Sequence, residues 1–223
     1  MSIAKISPSH RIALFSLNEP SDGLEFAREL LGLGWRIVAT QNVAAILAEA
    51  GIQVDVVSQF LGIQESYPFP PTLHPKMELA LTTFKTTSID LVFDTTYPLS
   101  KGNDVGGHTL LALAAKGNRI VVSNRKDMAE VVRQLLQNEN EIEVGLRERL
   151  IVQAYEKISN HYQVLSHQND PNQATPAYEL MEGENPYQAP AHLLTFGDSD
   201  DLCLEKFNQL SGLKPCFTNM ADL

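Results

Sequence analysis

The chain has 223 residues, 43% hydrophobic and 20% charged, with a formal net charge of −10. That size and composition suit one α/β domain, alone or with an appendage, and exclude wholesale disorder. No run approaches the roughly 18 apolar residues of a membrane span, and the start lacks an apolar core with a small-residue cleavage site, so a cytoplasmic protein without a signal peptide is expected.

Arg11 to Leu17 is a short apolar run, the pattern of a strand buried on both faces. Asn18 to Gly23 turns the chain, and Leu24, Phe26, Ala27, Leu30 and Leu31 recur at helical spacing until Gly32 and Gly34 end the helix. Trp35 to Thr40 reads as a second strand, Ala44 to Ala50 as a helix closed by Gly51, and Ile52 to Val57 as a third strand. Phe60 to Pro75 holds Pro68, Pro70, Pro71 and Pro75 and reads as a stiff irregular loop. A helix over 76–85, a fourth strand over 89–94, a loop over 95–103 and a helix over 104–116 follow. A fifth strand over 119–123 and helices over 126–137 and 146–159 complete the series. Strands separated by helices of this length predict βαβ units, hence an α/β domain with a mainly parallel sheet of about five strands and helices on both faces. Ligands of such sheets bind beyond the strand carboxyl ends. That rim would hold Ser16 to Gly23, Thr40 to Val43, the proline loop and Tyr97 to Gly107.

After Tyr162 the periodicity dissolves. The division expected is 1–165 for the α/β domain and 166–223 for an acidic linker and tail. Met1–Leu165 carries 15 basic and 18 acidic residues, Ser166–Leu223 only 2 and 9, so the tail reads as a solvated face or a partly ordered segment. No Lys/Arg run builds a basic face, and nucleic acid is not an expected partner. Cys203 and Cys216 make no disulfide framework.

Asp104-Val-Gly-Gly107 is the most informative local feature, because glycines at a helix start let a ligand approach bare N–H groups. Asp104 can cap that helix or act as an acid or base. Lys116, twelve residues on, reads on spacing alone as a cation at the helix C-terminus. Thr72-Leu-His74-Pro75 reads as a cap with proline in the first turn, His74 being a possible ligand donor. Tyr97 follows a strand end, where a phenol can reach a site or close the core. His108, His161, His167 and His192 show no metal-ligand spacing with one another or with the cysteines, and no metal is expected. No nucleophile elbow, dinucleotide fingerprint or P-loop is present.

In order, Leu24 to Arg28, Leu47 to Gly51, Thr72 to Lys76, Tyr97-Pro98, Asp104 to Gly107, Ala114 to Lys116 and Arg149 to Glu156 resemble the inosine monophosphate (IMP) cyclohydrolase domain of the bifunctional purine-biosynthesis enzyme. Gly183 to Gln188, Leu210 to Gly212 and Asn219 to Asp222 look like the opening of that enzyme's transformylase domain, and the resemblance implies a relative expected to lack the rest of that domain. The resemblance implies a methylglyoxal-synthase-like three-layer fold, a homodimer, a nucleotide-like ligand and no cofactor. It implies ring closure in which an amino nitrogen of a formylated aminoimidazole carboxamide ribotide attacks the formyl carbon and water leaves. Tyr97, Asp104 and Lys116 match catalytic positions: Asp104 would handle protons, while Lys116 and Tyr97 hold or polarise the substrate. Ser16, Asn18, Thr40, Asn42, Thr72, His74, Gly106 and Gly107 would bind it.

Three departures stand out. Phe69-Pro70-Pro71 replaces the family's Arg-Val-Lys, removing a lysine and a phosphate-binding arginine. Thr40 to Val43 replaces Ser-Gly-Gly-Thr, and Asn18 to Gly23 replaces Ser-Asp-Lys-Thr-Gly. These leave three functional expectations: the family's reaction, a non-catalytic binding or scaffold role in which the tail can dock a protein partner, or altered ring-closing or hydrolytic chemistry on a less charged substrate.

Overall fold

Alternation along the short apolar runs determines which side of the sheet each residue serves. A computed structural model describes residues 11–63, 70–83, 88–168, 175–185, 187–195 and 210–217. They fall into two units, 1–160 and 161–223. In the first unit five parallel strands, β1 (Ile12–Leu17), β2 (Arg36–Ala39), β3 (Asp55–Val56), β4 (Leu91–Thr95) and β5 (Ile120–Val122), lie in the order β3-β2-β1-β4-β5. Ala13, Phe15, Leu17, Ile37, Ala39, Leu91, Phe93, Ile120 and Val122 face one apolar cluster, while Ile12, Leu14, Val38, Val92 and Val121 face a second. The first is covered by α1 (Leu24–Gly32), α2 (Gln41–Glu49) and α6 (Met128–Gln137). The second is covered by α3 (Val57–Leu61), α4 (Pro75–Thr82) and α5 (Val105–Lys116). The helix α7 (Val144–Gln168) gives Leu146 and Leu150 to the first cluster and Ala154 to the second. This is the expected three-layer α/β architecture.

Aromatic packing holds the centre of the sheet. Phe15 and Phe93 pack edge to face at 5.5 Å, and Phe26 of α1 stacks on Phe15 at 5.7 Å. All three are essentially water-free, and each such side chain is worth several kcal/mol of burial. A close backbone approach joins α5 to α4. A Cβ on Gly117 would lie 2.0 Å from the Leu81 carbonyl oxygen, so only glycine fits there.

The structure departs from the sequence expectation in three places. The third strand shrinks to Asp55–Val56, because the chain turns into α3 and buries Val57 and Leu61 against the second cluster. The last helix runs to Gln168, nine residues past the expected end. In the second unit β6 (Thr175–Leu180) and β7 (Ala191–Thr195) form an antiparallel pair with an irregularity between Pro176 and Tyr178, where only linker and tail were expected. Phe69, Cys203, the His167 side chain and Asn219 to Asp222 lie outside the described residues. Among the described residues, no helix is long and apolar enough to cross a membrane. None of their His, Cys, Asp and Glu side chains form a group of three or more able to hold a metal.

Candidate functional site

The sheet reverses its winding between β1 and β4: β2 and β3 extend to one side, β5 to the other. At such a switch point the loops leaving adjacent strands diverge and open a crevice beyond the carboxyl ends. Here the two loops are pinned at their base, where the Asn18 N–H donates to both the carbonyl (2.9 Å) and the hydroxyl (3.0 Å) of Thr95. Above lies a cavity of about 410 Å³ lined by Ser16, Leu17, Asn18, Thr40, Gln41, Asn42, Pro70, Pro71, Thr72, Thr95, Tyr97, Asp104, Gly106 and Gly107. That volume is in the range of small-molecule sites.

Nine of the eleven residues named from sequence border this cavity: Ser16, Asn18, Thr40, Asn42, Thr72, Tyr97, Asp104, Gly106 and Gly107. His74 does not line it. It is the N-cap of α4, where its Nδ1 accepts from the Lys76 N–H at 3.1 Å. Lys116 does not line it either. It ends α5, twelve residues and roughly 18 Å along the helix from Asp104. There it is exposed, and its Nζ lies 3.4 Å from Glu78 Oε1. Within one protomer, the cation expected to hold substrate is at the wrong end of its helix.

Asp104 serves the helix and the cavity together. Its Oδ1 accepts from the Gly107 N–H at 2.7 Å, the N-cap bond of α5, and its Oδ2 accepts from the Tyr97 N–H at 3.1 Å. The capping role weighed from sequence is therefore present, and it holds a carboxylate, 7% exposed, against the cavity wall. It also ties the loop after β4 to the start of α5. Burial, aided by the Asp104 charge, pushes the Tyr97 phenol above its ordinary pKa, so it stays a hydrogen-bond donor near neutrality. Gly106 gives the opposite wall its closeness: a Cβ there would meet Thr72 Oγ1 at 3.2 Å.

Behind this wall is a group the sequence reading passed over. Asp94 pairs with Ser16 in the β1–β4 register and is 1% exposed, with no hydrogen-bond partner for its Oδ1 among the described residues. Burial pushes its carboxyl up to about 7; the Ser16 hydroxyl hydrogen bond opposes this, the Asp104 charge adds to it, and the Lys157 ammonium opposes it. Burial likewise lowers the Lys157 pKa, against the pull of Asp94 and Asp104, while its Nζ donates to the Ser123 carbonyl at 3.0 Å. The available sequence signal was one acid at the carboxyl end of a strand apolar on both faces. Gln41, on the predicted rim, and Thr95, two residues before the rim segment that starts at Tyr97, were also missed.

A second cavity of about 410 Å³ is lined by residues of α1 and α6 and by Arg125, and contains none of the residues named from sequence. The strand-end cavity is thus the candidate site.

The chain is similar to known families and to a solved structure. A model described as the MGS-like domain matches residues 22–120, and one described as the AICARFT/IMPCHase bienzyme matches residues 114–223. The chain is also similar to the crystal structure of ForH, with 26% identity and a TM-score of 0.60, over 70% of this chain and 96% of that one. With the two family matches spanning residues 22–223 between them, the chain is a diverged, IMP-cyclohydrolase-like protein of the MGS-like fold.

Proposed function

We propose that the switch-point cavity is a small-ligand site and that its chemistry is dehydrative ring closure of the IMP-cyclohydrolase type. The observation that carries this reading is the convergence of Asp104, Tyr97, Ser16 and Thr72 on one cavity. In the reaction the amino nitrogen of the carboxamide group of the formylated substrate attacks the formyl carbon. The formyl oxygen takes up a proton to become a hydroxyl, the attacking nitrogen loses one proton, the formamide nitrogen loses its own as the new C=N bond forms, and one water departs. Ring closure needs an oriented substrate, donors for the developing oxyanion and a group to move protons. The Tyr97 phenol and the Thr72 hydroxyl are the neutral donors. The Asp104 carboxylate, anchored by two backbone N–H groups, retains lone pairs to accept the amide proton.

The test is conversion of formylated aminoimidazole carboxamide substrates, as ribotide and riboside, by the purified chain. Turnover above the spontaneous rate is expected, falling about 100-fold or more in Asp104→Asn and Tyr97→Phe. One observation favours a second reading, binding without turnover: within one protomer, Lys116 is remote from the cavity. Saturable binding with no turnover in either substrate form supports that second reading.

A further inference from the structure

The walls of the candidate site are nearly free of charge. Of the fourteen described residues around the cavity, eight carry hydroxyl, amide or phenol groups, and among them Asp104 is the only carboxylate. Neither Lys nor Arg is among them. At the rim, Lys101 donates to Asn18 Oδ1 at 3.1 Å and lies 3.8 Å from Glu19 Oε1, so its charge already has a carboxylate partner. Beside Ser16, on the neighbouring strand β4, lies a second, buried carboxyl group, Asp94.

A phosphate monoester near neutral pH carries between one and two negative charges. Proteins hold it with cations and with bare backbone N–H groups at helix starts. At the start of α5 that place is taken, since the Asp104 carboxylate occupies the Gly107 N–H. The start of α2 opens on the cavity through Gln41 and Asn42, but among the described residues no cationic side chain lines the cavity beside it, and a helix end alone is a weak anion site. Neutral polar ligands meet the opposite situation. Hydroxyls and amides at Ser16, Asn42 and Thr72 match ribose hydroxyls and ring carbonyls. Leu17, Pro70 and Pro71 offer apolar walls to a flat ring, and Asp104 accepts from a ring or sugar donor.

We propose that this cavity takes an unphosphorylated nucleoside, a neutral heterocycle carrying ribose, and discriminates against the corresponding 5′-monophosphate. This rests on the reading of the cavity as the ligand site and narrows its substrate class. In the reaction proposed above, the riboside rather than the ribotide is then the form that closes.

Calorimetric titration of the full chain with inosine and with IMP tests it, at 50 mM and 300 mM salt. Inosine is expected to bind at least tenfold more tightly than IMP, and the gap to narrow at high salt as repulsion from Asp104 is screened. Gln41→Lys, which places a cation at the exposed α2 start on the cavity, is expected to tighten IMP binding about tenfold relative to inosine. Lys101→Ala is expected to leave inosine within twofold. IMP binding tenfold tighter than inosine in the unaltered protein overturns the proposal while leaving the cavity as the ligand site. Absence of binding by both at millimolar concentration overturns the proposal and the site together.

Discussion

Replacing Asp94 by Asn removes a buried titrating group with little change of shape, and its consequence for stability follows from the site geometry. The carboxyl is 1% exposed, with its Oδ1 unpaired among the described residues, and its folded pKa is about 7 against an ordinary 3.8. In the unfolded chain it ionises near 4; in the folded chain it keeps its proton until about pH 7. Between those values the folded state binds the extra proton, so its stabilising contribution is complete below pH 4 and lost as pH rises through 7. About three units at 1.36 kcal/mol each give about 4 kcal/mol across that window. In Asp94→Asn this slope disappears, while other titrating groups are shared by both proteins. Urea unfolding at pH 4.5, 6 and 8 is the assay. The stability of the variant relative to the parent should rise by about 1.4 kcal/mol per pH unit between 4.5 and 7 and then level off. Parallel pH profiles for the two proteins would refute the assignment of a proton to Asp94.

Gly117→Ala should destabilise the fold by on the order of 2–4 kcal/mol in chemical denaturation, because the new methyl would sit 2.0 Å from the Leu81 carbonyl oxygen; a change under 0.5 kcal/mol would contradict that contact. Asp104→Ala should cost on the order of 2–3 kcal/mol, combining a lost helix cap with an unsatisfied Tyr97 N–H, and Asp104→Asn less, since one acceptor remains. Equal losses in the two variants would mean that the bonds to Asp104 are not made. Lys116→Ala should change stability by less than 0.5 kcal/mol, its pair with Glu78 being exposed, and should leave nucleoside affinity within twofold. A tenfold loss of affinity would place Lys116 in the site after all.

Much of the fold was legible because each interior strand is a short apolar run that buries alternate residues on opposite faces. Ala13, Phe15 and Leu17 serve one face while Ile12 and Leu14 serve the other. The edge was harder: Ile52 to Val57 has strand composition, yet only Asp55 and Val56 pair with β2, and Val57 is better buried as the first residue of α3. The β6–β7 pair carries no short Asn-Gly or Asp-Gly turn, the strongest local signal of a hairpin, so nothing local announced it. At the site, placing the rim at strand ends was enough to collect Ser16, Asn18, Thr40, Asn42 and Asp104, because parallel topology brings those positions together whatever the side chains. Lys116 shows the reverse case. Its separation of twelve residues from Asp104 within one helix places it about three turns away, so spacing alone argued against the role implied by resemblance. Asp94 was hidden by its setting, one acid at the end of an otherwise apolar strand, whose burial depends on tertiary packing such as that of α5 on β4, which no local pattern encodes.

The central claim is that the crevice between β1 and β4 is where the ligand binds. Amide chemical-shift mapping of the labelled chain with inosine tests this most directly. The largest changes are expected at Ser16 to Asn18, Gln41 and Asn42, Thr72, Tyr97 and Gly106–Gly107, with His74 and Lys116 little affected. Changes centred instead on α1 and α6 or on the β6–β7 pair, or no change at millimolar inosine, would contradict it.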